Sequence, residues 1–175
     1  LDEVWWLVSI QNPLKSRRSM ANFVSRLDSA KRVASINKKI VVKDLEANLK
    51  SNFTVDTLSK ILDLFSKNAF IWIMGADNLL QITQWKDWLK IFDIIPIAVF
   101  ARPPYNREIL RSDAATYFVD KRYDESLGSN LINLVPPAWI YFDTALNPIS
   151  STEIRNANYD TCKWKNNESS IKTSQ

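Results

Sequence analysis

The segment Ile149-Ser150-Ser151-Thr152-Glu153-Ile154-Arg155 has the residue types and spacing of an anion site. Ser150 can cap a helix, and Glu153 three residues on can reach back to close a capping box. A helix opened this way presents free backbone N–H groups and a partial positive charge. Ser151 and Thr152 add hydroxyl donors. Arg155 falls on the face of Ser151 and can grip the same anion with two parallel hydrogen bonds. A plain capped helix with a solvated arginine explains the segment about equally well.

Met74-Gly75-Ala76-Asp77 is the second candidate. A glycine closing an apolar run lets a ligand come close to the backbone, and Asp77 can accept hydrogen bonds from ribose hydroxyls. Taken alone, this segment favours a tight strand-to-helix turn with Asp77 as helix cap. Trp85 stands among Thr83, Gln84, Lys86 and Asp87, where its ring can stack on a flat heterocycle or pack as a core residue; Trp88 reads as core. Lys15 follows Pro13-Leu14 in a basic loop, and Arg102 directly follows an apolar run, so both can sit over phosphates or be solvated.

The missing residue types narrow the chemistry further. Histidine is absent from the 175 residues, so no imidazole can act as base, acid or metal ligand here. The only glycines are Gly75 and Gly128, which excludes a Gly-rich phosphate loop. With a single cysteine, Cys162, a zinc site is not expected and a reducing, cytoplasmic compartment is. Apolar residues make up 46% and charged residues 24%, a globular balance that excludes a disordered or collagen-like chain. The net charge of +4 suits an anionic small molecule better than nucleic acid, and no apolar run is long enough to span a membrane. What remains is chemistry by positioning and positive charge, without an activated side-chain nucleophile.

Elements must hold these residues in place. Strands are expected at Val4–Ser9, Ile40–Val42, Ala69–Met74, Pro96–Arg102 and Trp139–Phe142, with a short one at Tyr117–Val119. Helices are expected at Ala21–Ser35 and at Thr54–Lys67 with Thr54 as N-cap, and after Asp77 or Asn78 as a further cap; Asp44–Lys50 reads as running into a loop. Helical spacing continues through Gln84–Phe92, and Leu127–Leu134 is ambiguous. Ala69–Met74 is apolar on both faces, as in a central strand. Strands alternating with helices imply an α/β fold with a parallel sheet and helices on both faces. Ligands in such sheets sit beyond the carboxyl ends of the strands.

Leu1–Lys15, Phe53–Leu58, Ile73–Asn78, Gln84-Trp85, Pro96–Tyr105 and Ile149–Arg155, in this order, resemble bacterial nicotinate-nucleotide adenylyltransferases, most closely those of alpha-proteobacteria. The resemblance implies a Rossmann-like nucleotidyltransferase domain over residues 1–155, followed by a polar, disordered tail over 156–175. It implies ATP and nicotinate mononucleotide as substrates, nicotinate adenine dinucleotide and pyrophosphate as products, and Mg2+ accompanying ATP. No nucleic acid or membrane partner is implied. Carried over by position, Lys15, Gly75, Asp77, Arg102, Ser150, Ser151, Thr152 and Arg155 bind ATP. Thr54 and Trp85 bind and stack on the nicotinate ring.

The chain also departs from this family. Nothing matches the family's opening strand, its Gly-Phe-Asp-Pro-type loop or its His-x-Gly-His motif, so a first strand is read as missing and the native beginning is expected upstream of Leu1. Asn12-Pro13-Leu14-Lys15 lacks the family's loop histidine, and Pro103-Pro104 stands where glycine is usual. The usual apolar C-terminal helix is not found after Arg155. The expectation is therefore little turnover by these residues alone, and marginal folding. The alternatives are a decayed or truncated nucleotide-binding pseudo-enzyme and, more weakly, a nucleic-acid binder.

Overall fold

The apolar runs of the sequence become six short parallel strands in a computed structural model, which describes residues 1–10, 22–49, 51–102 and 107–143. Strand β1 (Val4–Leu7) pairs with β2 (Ile40–Lys43), Val4 opposite Ile40. Strands β3 (Trp72–Gly75), β4 (Ile97–Phe100), β5 (Arg122–Tyr123) and β6 (Trp139–Phe142) form a second sheet in the order β3-β4-β6-β5.

Six helices cover these strands. Helix α1 (Phe23–Ala34) begins at Asn22, whose side chain accepts the Ser25 amide at 2.8 Å. Helix α2 (Leu45–Leu49) is a single short element where a loop was expected; Asp44 accepts the Ala47 amide and starts it. Helix α3 (Thr54–Leu64) ends three residues earlier than the spacing suggests, at a Phe65 cap. Its N-cap is Phe53, and Thr54 is the first helical residue, not the cap. Helices α4 (Ala76–Gln81), α5 (Trp88–Ile94) and α6 (Asp113–Tyr117) follow. The expected strand at Tyr117–Val119 is instead the end of α6 and a 3-10 turn, with β5 starting at Arg122. The ambiguous Leu127–Leu134 stretch is a 3-10 run over Glu125–Asn133.

Alternation along the strands sorts the core into two layers. Ile97, Val99, Trp139 and Tyr141 face α3, α4, α5 and α6, together with Leu58, Leu79 and Phe92. The buried Trp139 indole donates to the Phe118 carbonyl at 2.8 Å, and Phe118 stacks on Phe92 at 4.2 Å. Ala98 and Ile140 face the other way, onto Leu131 of the 3-10 run. The buried centre is therefore β4 and β6. Strand β3, expected to be central, ends the order of the described sheet, and its Ile73 is 43% exposed. A mainly apolar cleft of about 940 Å³ separates β3 from β1, with Trp5, Trp6, Leu58, Phe70 and Trp72 in its walls. Edge-to-face contacts of Trp5 with Phe65 and Phe70, at 4.9 and 5.2 Å, hold the two sheets near each other.

Candidate active site

The carboxyl ends of β3 and β4 bring three of the expected site residues together. Gly75 pairs with Phe100, and Arg102 lies two residues beyond. Helix α4 begins immediately after β3, with Gly75 itself as N-cap in an extended conformation (φ −80°, ψ 158°). With no loop residue between strand and helix, Asp77 falls inside the first turn and is not the cap. Its carboxylate folds back over the glycine: a Cβ on Gly75 would lie 2.4 Å from Asp77 Oδ1 and 3.7 Å from Arg102 Cδ. Glycine at this position leaves space for the Asp77 carboxylate where it stands; it does not serve a left-handed turn.

The carboxylate of Asp77 is only half satisfied. Arg102 Nη1 approaches Asp77 Oδ2 at 3.4 Å, and both side chains are part-exposed. Asp77 Oδ1 is buried and has no hydrogen-bond partner among the described residues. A buried acceptor without a donor costs free energy that a ligand hydroxyl would recover.

A second group lies at the start of α3. Lys86 Nζ bridges to Asp56 of α3 at 3.0 Å and lies 5.0 Å from the centre of the Phe53 ring. This draws the Trp85 segment to the helix whose first residue is Thr54. The expected continuous helix through Gln84–Phe92 is broken here. A 3-10 turn over Ile82–Gln84 ends at an extended Trp85, Asp87 takes a left-handed conformation (φ 48°, ψ 41°), and only then does α5 begin. Trp85 is partly buried against the main core. Trp88 is a core residue, meeting Phe92, Tyr117 and Phe118 edge-to-face.

A third group was not singled out in the sequence. Arg107 Nε donates to Asp143 Oδ2 at 2.6 Å, and the Asp143 amide donates to Glu125 at 3.3 Å. Asp143 is the first residue after β6, so its place beyond a strand's carboxyl end was a usable signal. The hydrogen bond to Asp143, and then its charge, raise the Arg107 pKa further. The neighbouring Tyr141 hydroxyl is buried without a partner among the described residues, and burial first, then the charge of Asp143, pushes its pKa up. Lys15, Ser150, Ser151, Thr152 and Arg155 lie outside the described residues. Among the described residues, none of the expected site residues lies in the walls of the large cleft between β1 and β3.

Comparison with known proteins identifies the family and the fold. Residues 1–157 match the family model described as cytidylyltransferase-like. A probable nicotinate-nucleotide adenylyltransferase of Parvibaculum lavamentivorans is 43% identical over 155 residues, covering 89% of this chain and 77% of that protein. The chain belongs to the nicotinate-nucleotide adenylyltransferase family. A probable family member from Bradyrhizobium is 37% identical over 156 residues, covering 89% of this chain and 81% of the relative. Among solved structures, the Plasmodium falciparum nicotinic acid mononucleotide adenylyltransferase complexed with NaAD superposes with a TM-score of 0.56 at 19% identity. The same enzyme complexed with APC gives 0.54 at 18% identity. Both alignments cover 87% of this chain, which spans 63% of the length of each solved chain. At such identity the likeness establishes the fold: a Rossmann-like parallel sheet with helices on both faces.

Proposed function

We propose that the chain joins the adenylyl group of ATP to nicotinate mononucleotide, releasing pyrophosphate and forming nicotinate adenine dinucleotide. The observation that carries this reading is the Gly75–Asp77–Arg102 cluster at the strand ends, in a chain of this family. In the reaction, the mononucleotide phosphate attacks the α-phosphorus of ATP, and the bond to the pyrophosphate leaving group breaks. The chain's residues bind and orient. Asp77 Oδ1 accepts from an adenosine ribose hydroxyl, Gly75 leaves room for the sugar, and Arg102 supplies positive charge beside it. Lys15, Ser150, Ser151, Thr152 and Arg155 are assigned to the phosphates, and Thr54 and Trp85 to the nicotinate ring. The nucleotidyltransferase domain of this reading is residues 1–155, and the names of the relatives favour turnover over a binding-only role.

Among the described residues no group of three or more Asp, Glu, Cys or His side chains could hold a metal ion. They do not build a cage for Mg2+, which in this reading arrives with ATP on its phosphates. No helix among the described residues is long and apolar enough to cross a membrane.

The test is calorimetric titration of the chain with MgATP and with nicotinate mononucleotide, followed by chromatography of the mixture. Both nucleotides are expected to bind, with the dinucleotide formed only when both are present. Turnover is expected to be slow, because these 175 residues hold no imidazole to meet charge developing on the phosphates. Failure to bind either nucleotide would overturn the proposal.

A further inference from the structure

We infer that Lys86 is a positioning residue that fixes Trp85 against the start of α3, and so sets affinity for the mononucleotide and not for ATP. This rests on the reading of Trp85 and Thr54 as the seat of the nicotinate ring. The short segment between the 3-10 turn and α5 is held at three points. The Trp85 amide donates to the Ile82 carbonyl at 2.9 Å, which closes the turn. Asp87 adopts the left-handed conformation, which aspartate tolerates better than most residues with a Cβ, and so turns the chain into α5. Between them, Lys86 Nζ meets both oxygens of Asp56, at 3.2 and 3.0 Å, and lies over Phe53.

The Lys86 contact is the one that reaches another element. It joins positions 30 residues apart, linking the Trp85 segment to α3. Trp85 itself is extended, so successive side chains diverge: the indole packs on the main core while the ammonium crosses to α3. The pair is too exposed to matter much for global stability, at 44% and 38% for the two side chains. Its effect is local, removing freedom from the residue next to an aromatic ring. A ring held in place loses less freedom when a heterocycle stacks on it.

The experiment is calorimetric titration of wild type, Lys86→Met, Lys86→Arg, Phe53→Leu and Trp85→Ala with nicotinate mononucleotide and, separately, with MgATP. Lys86→Met is expected to weaken mononucleotide binding about five- to tenfold. ATP affinity should stay within about twofold, and the melting midpoint should barely move. Lys86→Arg, which keeps both the charge and the stacking, should restore most of the loss. Phe53→Leu, which keeps the ion pair, should cost less than Lys86→Met. Equal weakening of both nucleotides by Lys86→Met would mean general loosening and overturn the inference. Unchanged binding in Lys86→Met, with binding lost in Trp85→Ala, would overturn the inference alone and leave the mononucleotide seat standing. Unchanged binding in Trp85→Ala would remove the seat and the inference together.

Discussion

Replacing Gly75 by alanine tests the strand-end site with little disturbance to the fold. The added Cβ would lie 2.4 Å from Asp77 Oδ1, and ordinary contact begins near 3.4 Å, so the oxygen must retreat by about 1.0 Å (3.4 − 2.4). It is the far atom of a short side chain, and it can swing away. The backbone at position 75 suits alanine, with φ −80° and ψ 158°. Reduced freedom of the unfolded chain gives back about 0.4–1 kcal/mol. Global stability should therefore change by no more than about 1 kcal/mol, within the usual range of a tolerated substitution. The ligand bears the cost. A hydrogen bond to a charged carboxylate is worth about 1.5–3 kcal/mol, so losing it should weaken MgATP binding roughly ten- to hundredfold. Asp77→Ala should cost as much, and the double variant no more than Asp77→Ala, because both changes remove one interaction. Calorimetric titration with MgATP on the four proteins, with urea unfolding as the stability control, reads all of this. Additive losses, or wild-type affinity in Gly75→Ala, would refute the claim that the glycine serves the Asp77 carboxylate.

Gly128→Ala should behave in the opposite way: its Cβ would come 2.6 and 2.9 Å from the ring of Phe142, which stacks on Phe100 at 4.8 Å and has little room to move. A stability loss of about 1–3 kcal/mol in urea unfolding is expected, and an unchanged midpoint would refute it. Asn22→Ala removes the 2.8 Å cap on α1 and should cost about 1 kcal/mol by the same measurement. Tyr141→Phe should be neutral or stabilising at pH 7, because the hydroxyl it removes is buried without a partner. The folded phenol pKa lies above its ordinary value of 10.0, so its contribution to stability is complete below that pH and is lost as pH rises towards the folded value. Unfolding curves at neutral and alkaline pH should show wild type losing more stability than Tyr141→Phe, and parallel losses would refute the assignment.

What was legible in the sequence follows from which signals are local. Runs such as Ile97–Phe100 and Trp139–Phe142 are apolar throughout because both faces of those strands are covered, and that can be read residue by residue. Ala69–Met74 carries the same signal but ends the described sheet order, since strand composition does not say which neighbour is bonded. The break before α5 was hidden because no glycine or proline marks it; Asp87 supplies the left-handed turn instead. Helix α2 is a single turn that depends on Asp44, too short for a periodic pattern. At the site, Gly75, Asp77 and Arg102 could be named because each follows a strand. Their contact could not, because it depends on β3 and β4 being in register. The Arg107–Asp143 pair spans 36 residues and needs the same kind of information.

The two ion pairs beyond the strand ends divide structural from ligand-directed charge. Arg107 and Asp143 meet at 2.6 Å, and the Asp143 amide donates to Glu125, so among the described residues that pair is the closer and more directly bonded of the two. Arg102 and Asp77 meet at 3.4 Å, and the second oxygen of Asp77 has no donor among the described residues. A fold selected for stability alone would gain by removing that oxygen or supplying a donor, since an unmet buried acceptor costs about 1–3 kcal/mol. Glycine at position 75 does the reverse: it makes room for the carboxylate to stay where it is unsatisfied. If the proposed ribose site is right, such an arrangement gives up some stability of the empty protein for an interaction that a ligand hydroxyl would complete at the end of β3. In the proposed reading, the weaker of the two pairs, and not the shorter one, therefore points to the ribose.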